Sequence, residues 1–218
     1  SLLTELRRHG YYVPSLCYNE ELSPYGACRL CLVEVKKGKR QKLTTSCNYP
    51  VQAGIEVHLD TDKVARNRRM VLELLMAQSP KAPKELSTLA ERYGVKEVRF
   101  TENGDEDCIL CGLCSRTCRE TVGVNALTFS GRGDQKRIGT PYAEASDVCI
   151  LCGACVYVCP VGCIDLSESA GKRRINRWGR ELPMLVDEFG MPTMTTAQAE
   201  YMALRTGMPV ETFGKPKG

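Results

Sequence analysis

Aromatic side chains are scarce in this 218-residue chain: 6% in all, with one tryptophan and four phenylalanines. Single-stranded nucleic acid is held largely by stacking on aromatic rings, and the basic runs here do not alternate with such rings, so no nucleic-acid partner is expected. There are only two histidines, His9 and His58. Each stands alone, as a surface or structurally satisfied side chain, so a histidine-rich metal site is excluded. No run approaches the ~18 apolar residues of a membrane span. The opening SLLTELRRHGYY lacks the apolar core of a secretory signal. A G-x-G-x-x-G after a strand, a P-loop and a nucleophile–base pair are all missing, so no catalytic residue is assigned and the chain carries no flavin or nicotinamide signature of its own. A strong charge of one sign is missing too, the net being +4. The basic runs KKGKRQK, ARNRR and GKRR are interspersed with acidic residues. They read as solvated surface, the other reading being a docking patch for a partner or nucleic acid.

What the chain does have is 13 cysteines. In a reducing, cytoplasmic setting, clustered cysteines point to metal rather than disulfides. Eight of them form two near-identical runs, CILCGLCSRTC at Cys108–Cys118 and CILCGACVYVC at Cys149–Cys159. Both obey C-x2-C-x2-C-x3-C. Three thiolates from one short loop can cap three corners of an iron–sulfur cube, and the fourth cysteine, starting a helix that leads away, ligates the other cluster. This pattern assigns Cys108, Cys111, Cys114 and Cys159 to one [4Fe–4S] cluster. It assigns Cys149, Cys152, Cys155 and Cys118 to a second. Gly112 and Gly153 occupy matching places, where a residue without Cβ lets backbone N–H groups approach sulfur. Pro160 completes the C-P ending of the second run, whereas the first has Arg119. A zinc site fits this duplicated spacing poorly, since it takes two C-x2-C pairs across a longer loop. Cys163 is left over and reads as a buried, inert thiol.

Cys17, Cys28, Cys31 and Cys47 form a third set, C-x10-C-x2-C-x15-C. One close pair plus two distant cysteines suits a [2Fe–2S] rhomb, where each iron takes two thiolates; a four-cysteine zinc site is the alternative. Gly26 lets the backbone wrap the site. LVEV and KLTTS read as strands around a KKGKRQ turn, and TFSGRGDQKRI reads as a hairpin inserted between the two cubane runs. A helix is predicted over 62–78, capped by Asp60 or Thr61, with Val64, Val71, Leu74 and Leu75 as its apolar side. A second is predicted over 84–93, ending at Gly94.

The C-x2-C-x2-C-x3-C-P runs resemble the two-cluster bacterial ferredoxins over about residues 101–170. The string YGACRLCLVEV resembles the [2Fe–2S] domain of the large iron–sulfur subunit of complex I, of the diaphorase small subunit of NAD-reducing hydrogenases and of many iron-only hydrogenases. The resemblance implies an α+β protein. It would comprise a β-grasp [2Fe–2S] domain at 1–60, a helical linker at 61–100, a two-[4Fe–4S] ferredoxin domain at 101–170 and a C-terminal extension at 171–218. That fold opens with a β-hairpin before its helix, whereas SLLTELRRHG reads as the helix itself, so either residues lie upstream of Ser1, the favoured reading, or the first strands are supplied differently. In these relatives a matching LELL precedes H-P-x2-C-x2-C, which ligates one more cluster through a histidine. Here LELLMAQSPKAPKEL puts Ser79, Pro83 and Leu86 at the histidine and cysteine positions. None of the three is a good iron ligand, so that cluster is expected to be missing. The motifs of a hydrogen-activating cluster are missing as well. In the extension, Trp178, Phe189, Met191 and Met194 suit either an arm docking on a partner or a segment packed on its own domain.

Three clusters and no site for bond chemistry predict an electron relay. Electrons would pass between a flavoprotein subunit of the NADH-oxidising type and a further redox or catalytic subunit of a hetero-oligomeric complex. The alternative is a scaffold stabilised by zinc or clusters that binds partners or nucleic acid and moves no electrons.

Overall fold

A computed structural model describes residues 1–81, 84–102 and 107–216. The chain divides into two compact units, Ser1–Leu113 and Cys114–Gly218.

The first unit begins with helix α1 (Leu2–Arg8), whose Ser1 hydroxyl accepts from the Thr4 N–H at 3.3 Å. Strands β1 (Leu32–Lys37) and β2 (Arg40–Thr45) pair antiparallel from Leu32↔Thr45 to Lys37↔Arg40, on either side of the Lys-Gly turn expected from sequence. Strand β3 (Glu56–His58) joins the other edge of β1, with Val35 facing Val57, giving the order β2-β1-β3. Alternation along β1 puts Val33 and Val35 inward, where they meet Leu2, Leu3 and Val13; Cys31 and Cys47 belong to the same core. Two of the cysteines are therefore part of the packing that holds the sheet to α1.

Helix α2 (Asp62–Gln78) starts at Thr61, whose hydroxyl accepts from the Val64 N–H at 3.2 Å. Its apolar side differs from the sequence expectation. The buried positions are Val64, Arg68, Leu72, Glu73 and Ala77, while Leu74 is 47% exposed. Val64, Arg68 and Leu72 are four residues apart and share a face. The arginine among them is 1% exposed and hid that face from a search for apolar periodicity. Helix α3 (Lys84–Arg92) buries Leu86 and Ala90 and stops at Gly94, which takes φ +69°.

The second unit carries most of the repeat. Short helices α4 (Leu113–Arg116) and α5 (Ala154–Tyr157) follow matching loops. The expected hairpin between the runs is present as β4 (Thr128–Ser130) and β5 (Arg137–Gly139), with Phe129 opposite Ile138. The remaining chain forms β6 (Leu166–Ser169), β7 (Lys172–Ile175), β8 (Arg180–Val186), β9 (Pro192–Thr195), helix α6 (Thr196–Thr206) and β10 (Lys215–Pro216). β8 pairs β7 along its first half and β9 and β10 along its second, all antiparallel. Residues after Gly171 thus fold onto the second unit. Trp178 lies beside Gly139, where an added Cβ would sit 3.4 Å from the indole nitrogen. Phe189 and Met191 remain 82% and 62% exposed.

Candidate metal centres

The first sulfur set is enclosed by its own unit. Cys17, Cys28, Cys31 and Cys47 are each no more than 2% exposed. The loop between Cys28 and Cys31 turns through Arg29 at φ +58°, and Gly26 just before it takes φ +73°. A Cβ on Gly26 would lie 3.1 Å from the Asn48 side-chain nitrogen, so the backbone here passes too close for a larger residue without movement. Backbone N–H groups point at sulfur: Leu16 donates to Cys28 Sγ and Cys28 to Cys17 Sγ, both at 3.3 Å. The thiols crowd one another. The side-chain hydrogen bond with Cys17, then burial, holds Cys28 well above the ordinary thiol range. Its hydrogen bond with Cys47 draws Cys31 down to about 6, and the same bond together with burial pushes Cys47 up. Four sulfurs in two interacting pairs, in a dry pocket with N–H donors, suit a rhomb that takes two thiolates per iron.

Arg68 supports this loop, and the sequence reading missed it. Its Nε donates to the Leu30 carbonyl at 3.2 Å and its Nη2 to the Leu32 carbonyl at 2.7 Å. Those carbonyls flank Cys31. Nη1 reaches the Tyr93 hydroxyl at 3.3 Å and the Asp60 carboxylate at 3.6 Å. A buried guanidinium with several acceptors is satisfied as a unit and is costly to disturb. A charged residue at α2's interior-facing period was the available signal.

The two cubane loops share an unusual backbone. Leu110 and Gly112 take φ +53° and +73°; Leu151 and Gly153 take +53° and +77°. Each middle cysteine is thus flanked by two left-handed residues, which turn successive N–H groups toward one side of the chain. The glycines were legible in the sequence; a leucine at positive φ is not. Leu110 N–H donates to Cys108 Sγ at 3.4 Å.

In the second unit, Cys118, Cys149, Cys152 and Cys155 line one small cavity of about 20 Å³. Ile150, Val122, Val124, Leu127, Ile175 and Trp178 complete its apolar wall. The structure thus brings Cys118, from the first run, to three cysteines of the second. Burial, the largest cause, pushes Cys118, Cys149 and Cys155 up, Cys155 to about 12 with its neighbouring thiols adding to the rise. Ala126 N–H donates to Cys118 Sγ at 3.2 Å. Cys118 sits in a π-helical turn, Thr117–Val122, directly after α4, and Cys159 follows α5. The short helices therefore precede the fourth cysteines rather than starting at them as expected. Four thiols around an apolar cavity with an N–H donor fit an iron–sulfur cube. Among the described residues, no three His, Cys, Asp or Glu side chains converge as a single metal ion requires.

Of the other set, Cys108 and Cys111 belong to the first unit and Cys114 and Cys159 to the second. The first three are 6 to 8% exposed and Cys159 is half-buried. Cys163 is half-buried too, not buried as expected, and its Sγ lies 3.5 Å from Cys159 Sγ. Ser79 is wholly buried and its hydroxyl donates to the Asp107 carbonyl at 2.6 Å. Leu86 is in the core, and Pro83 lies outside the described residues. No helix among the described residues is long and apolar enough to cross a membrane.

A small α+β protein with two ferredoxin-like regions and thiols gathered in dry pockets is an iron–sulfur protein of the electron-transfer class. The comparisons agree. Residues 1–62 match a 2Fe-2S iron-sulfur cluster binding domain and residues 107–163 a 4Fe-4S dicluster domain. The chain is 32% identical over 176 residues to the NADPH-Fe(3+) oxidoreductase subunit alpha of Geobacter sulfurreducens, covering 70% of this chain and 20% of that one. It is 29% identical over 199 residues to the mitochondrial NADH-ubiquinone oxidoreductase 78 kDa subunit of Candida albicans, covering 80% and 27%. A solved chain of an NAD+-reducing [NiFe]-hydrogenase in the H2-reduced state matches with TM-score 0.63 and 25% identity, over 99% of this chain and 92% of that one. The chain is homologous to part of the complex I 78 kDa subunit and to this hydrogenase chain, as its motifs implied. It spans about a fifth to a quarter of the length of the curated relatives.

Proposed function

We propose that the chain is a three-cluster electron relay. One [2Fe–2S] cluster is held by Cys17, Cys28, Cys31 and Cys47. One [4Fe–4S] cluster is held by Cys149, Cys152, Cys155 and Cys118, and another by Cys108, Cys111, Cys114 and Cys159. The gathering of Cys118 with Cys149, Cys152 and Cys155 around one apolar cavity supports this reading most directly. Such clusters supply reversible one-electron chemistry, with potentials set by hydrogen bonds to sulfur and by solvent. The chain's own residues anchor the sulfurs, aim the Leu16, Cys28, Leu110 and Ala126 N–H groups at them, and exclude water with Ile150, Leu127 and Trp178. The sequence carries no motif for bond-making chemistry, and electrons enter and leave through partner proteins. The relatives' names, an NADPH-Fe(3+) oxidoreductase, an NADH-ubiquinone oxidoreductase and an NAD+-reducing hydrogenase, support a nicotinamide-linked complex of several subunits. In it the chain passes electrons between a flavoprotein of the NADH-oxidising type and a further redox subunit. Ser79 and Leu86 leave no ligand set for a histidine-bound cluster.

The test is metal analysis of protein purified without oxygen. The expected result is about ten irons per chain, as 2 + 4 + 4, with matching acid-labile sulfide and EPR signals from both cluster types. About fourteen irons would restore the histidine-bound cluster's equivalent. A colourless zinc protein would replace the relay with a scaffold.

A further inference from the structure

Cys152 lines two spaces. One is the apolar cavity it shares with Cys118, Cys149 and Cys155; the other is an open groove of about 480 Å³ on the surface of the second unit. The groove floor is Thr121, Val122, Ile150 and Cys152. Its wall is Gln198, Tyr201, Met202 and Arg205 of α6. Those four residues recur at helical spacing and form a single stripe. The frame is pinned at the two residues just before Cys152. Thr195 Oγ1 donates to the Ile150 carbonyl at 2.6 Å, and Arg173 Nη1 donates to the Leu151 carbonyl at 3.4 Å. Across the groove, the Tyr201 hydroxyl donates to the Val122 carbonyl at 2.6 Å. The capping box of Thr195 and Gln198 fixes the start of α6. The last turns of α6 leave Met202 40% and Leu204 83% exposed, an apolar edge beside the Arg205 cation.

We propose that this groove is the docking site of one redox partner, and that Cys152 is the point where the electron crosses to it. The inference rests on the relay reading above. Tunnelling falls steeply with distance, so a useful crossing is a sulfur ligand that also lines a surface groove, as Cys152 does. The occupant is a protein carrying its own one-electron centre, which sets an apolar side chain against Met202 and a carboxylate against Arg205. The step moves one electron: the reduced chain is oxidised, the partner's centre is reduced, and no bond is made or broken. The Tyr201 and Thr195 hydrogen bonds keep the opening fixed, so docking needs no rearrangement of the loop that carries Cys152.

The experiment uses the complex as isolated anaerobically, with the flavin- or iron-containing polypeptide that copurifies as the probe. Arg205→Glu and Met202→Glu are compared with Arg205→Gln and with Arg66→Glu on the first unit. In the groove variants, iron, sulfide and the EPR spectra after dithionite reduction should match wild type. Affinity for the copurifying polypeptide and the rate at which it reoxidises the reduced chain should fall by about tenfold or more. Arg205→Gln should fall less, and Arg66→Glu should not change. Groove variants that keep both affinity and rate overturn the proposal, as does a chain that purifies alone and reacts with protein acceptors equally well in all variants. A wild-type chain lacking acid-labile sulfide instead overturns the relay reading, so the two failures are distinct.

Discussion

The two sulfur sets gathered within single units are built in contrasting ways. Cys17, Cys28, Cys31 and Cys47 are interior residues, and Cys31 and Cys47 are packed in the same core as Leu3, Val33 and Val35. Cys118, Cys149 and Cys152 are half-buried, and Cys155 alone of that set is buried. The first site is part of its domain's core, so disturbing it disturbs the fold. The second is a pocket made by short helices and covered by a later segment, so it can be emptied with the strands left in place. Both loops are braced by later segments, but with different burial: the fully buried Arg68 of α2 bonds the Leu30 and Leu32 carbonyls of the first site, whereas Arg173 of β7 and Thr195 at the end of β9 bond the Leu151 and Ile150 carbonyls of the second.

Cys118→Ala sharpens this contrast most. It should remove about four of the ten irons and leave the [2Fe–2S] EPR signal intact. If the surviving cubane is the one on Cys149, Cys152 and Cys155, the crossed ligation is wrong. Next comes Arg68→Leu. It strips donors from the Leu30 and Leu32 carbonyls beside Cys31, and should cost about 3 kcal/mol of stability along with the [2Fe–2S] signal. Retention of both by thermal denaturation and EPR would show that the loop holds itself. Thr195→Val removes the cap of α6 and the bond to Ile150, for about 1–2 kcal/mol. Here the cubane signal, not the [2Fe–2S] signal, should become labile on warming; the reverse order would erase the distinction between the sites. The smallest effect is expected of Cys163→Ala. All iron should stay, and loss of a cluster would make this thiol a ligand despite its place outside the repeat.

Local features were well read from sequence. Helix α2 runs over the predicted residues because Thr61 caps it, and β1 and β2 pair around a Lys-Gly turn. The hairpin β4–β5 follows from its alternation around glycine. The misreadings share a cause. Arg68 can sit in the buried face of α2 because its guanidinium donates to backbone carbonyls supplied by a loop 36 to 38 residues away and lies 3.6 Å from the Asp60 carboxylate. Leu110 and Leu151 adopt a glycine-like conformation that their own chemistry disfavours, so only the folded loop shows it.

Residue order by itself determined that sulfur would be grouped by fours, since cysteine spacing sets which thiols share a loop and iron is the partner that spacing suits. It determined the helices and hairpins as well, through caps and turns that act over a few residues. Only the tertiary structure decided that a buried arginine braces the first site and that the C-terminal segment frames an opening at Cys152. Those relations depend on hydrogen bonds and packing between segments far apart in the chain, and no local preference encodes them.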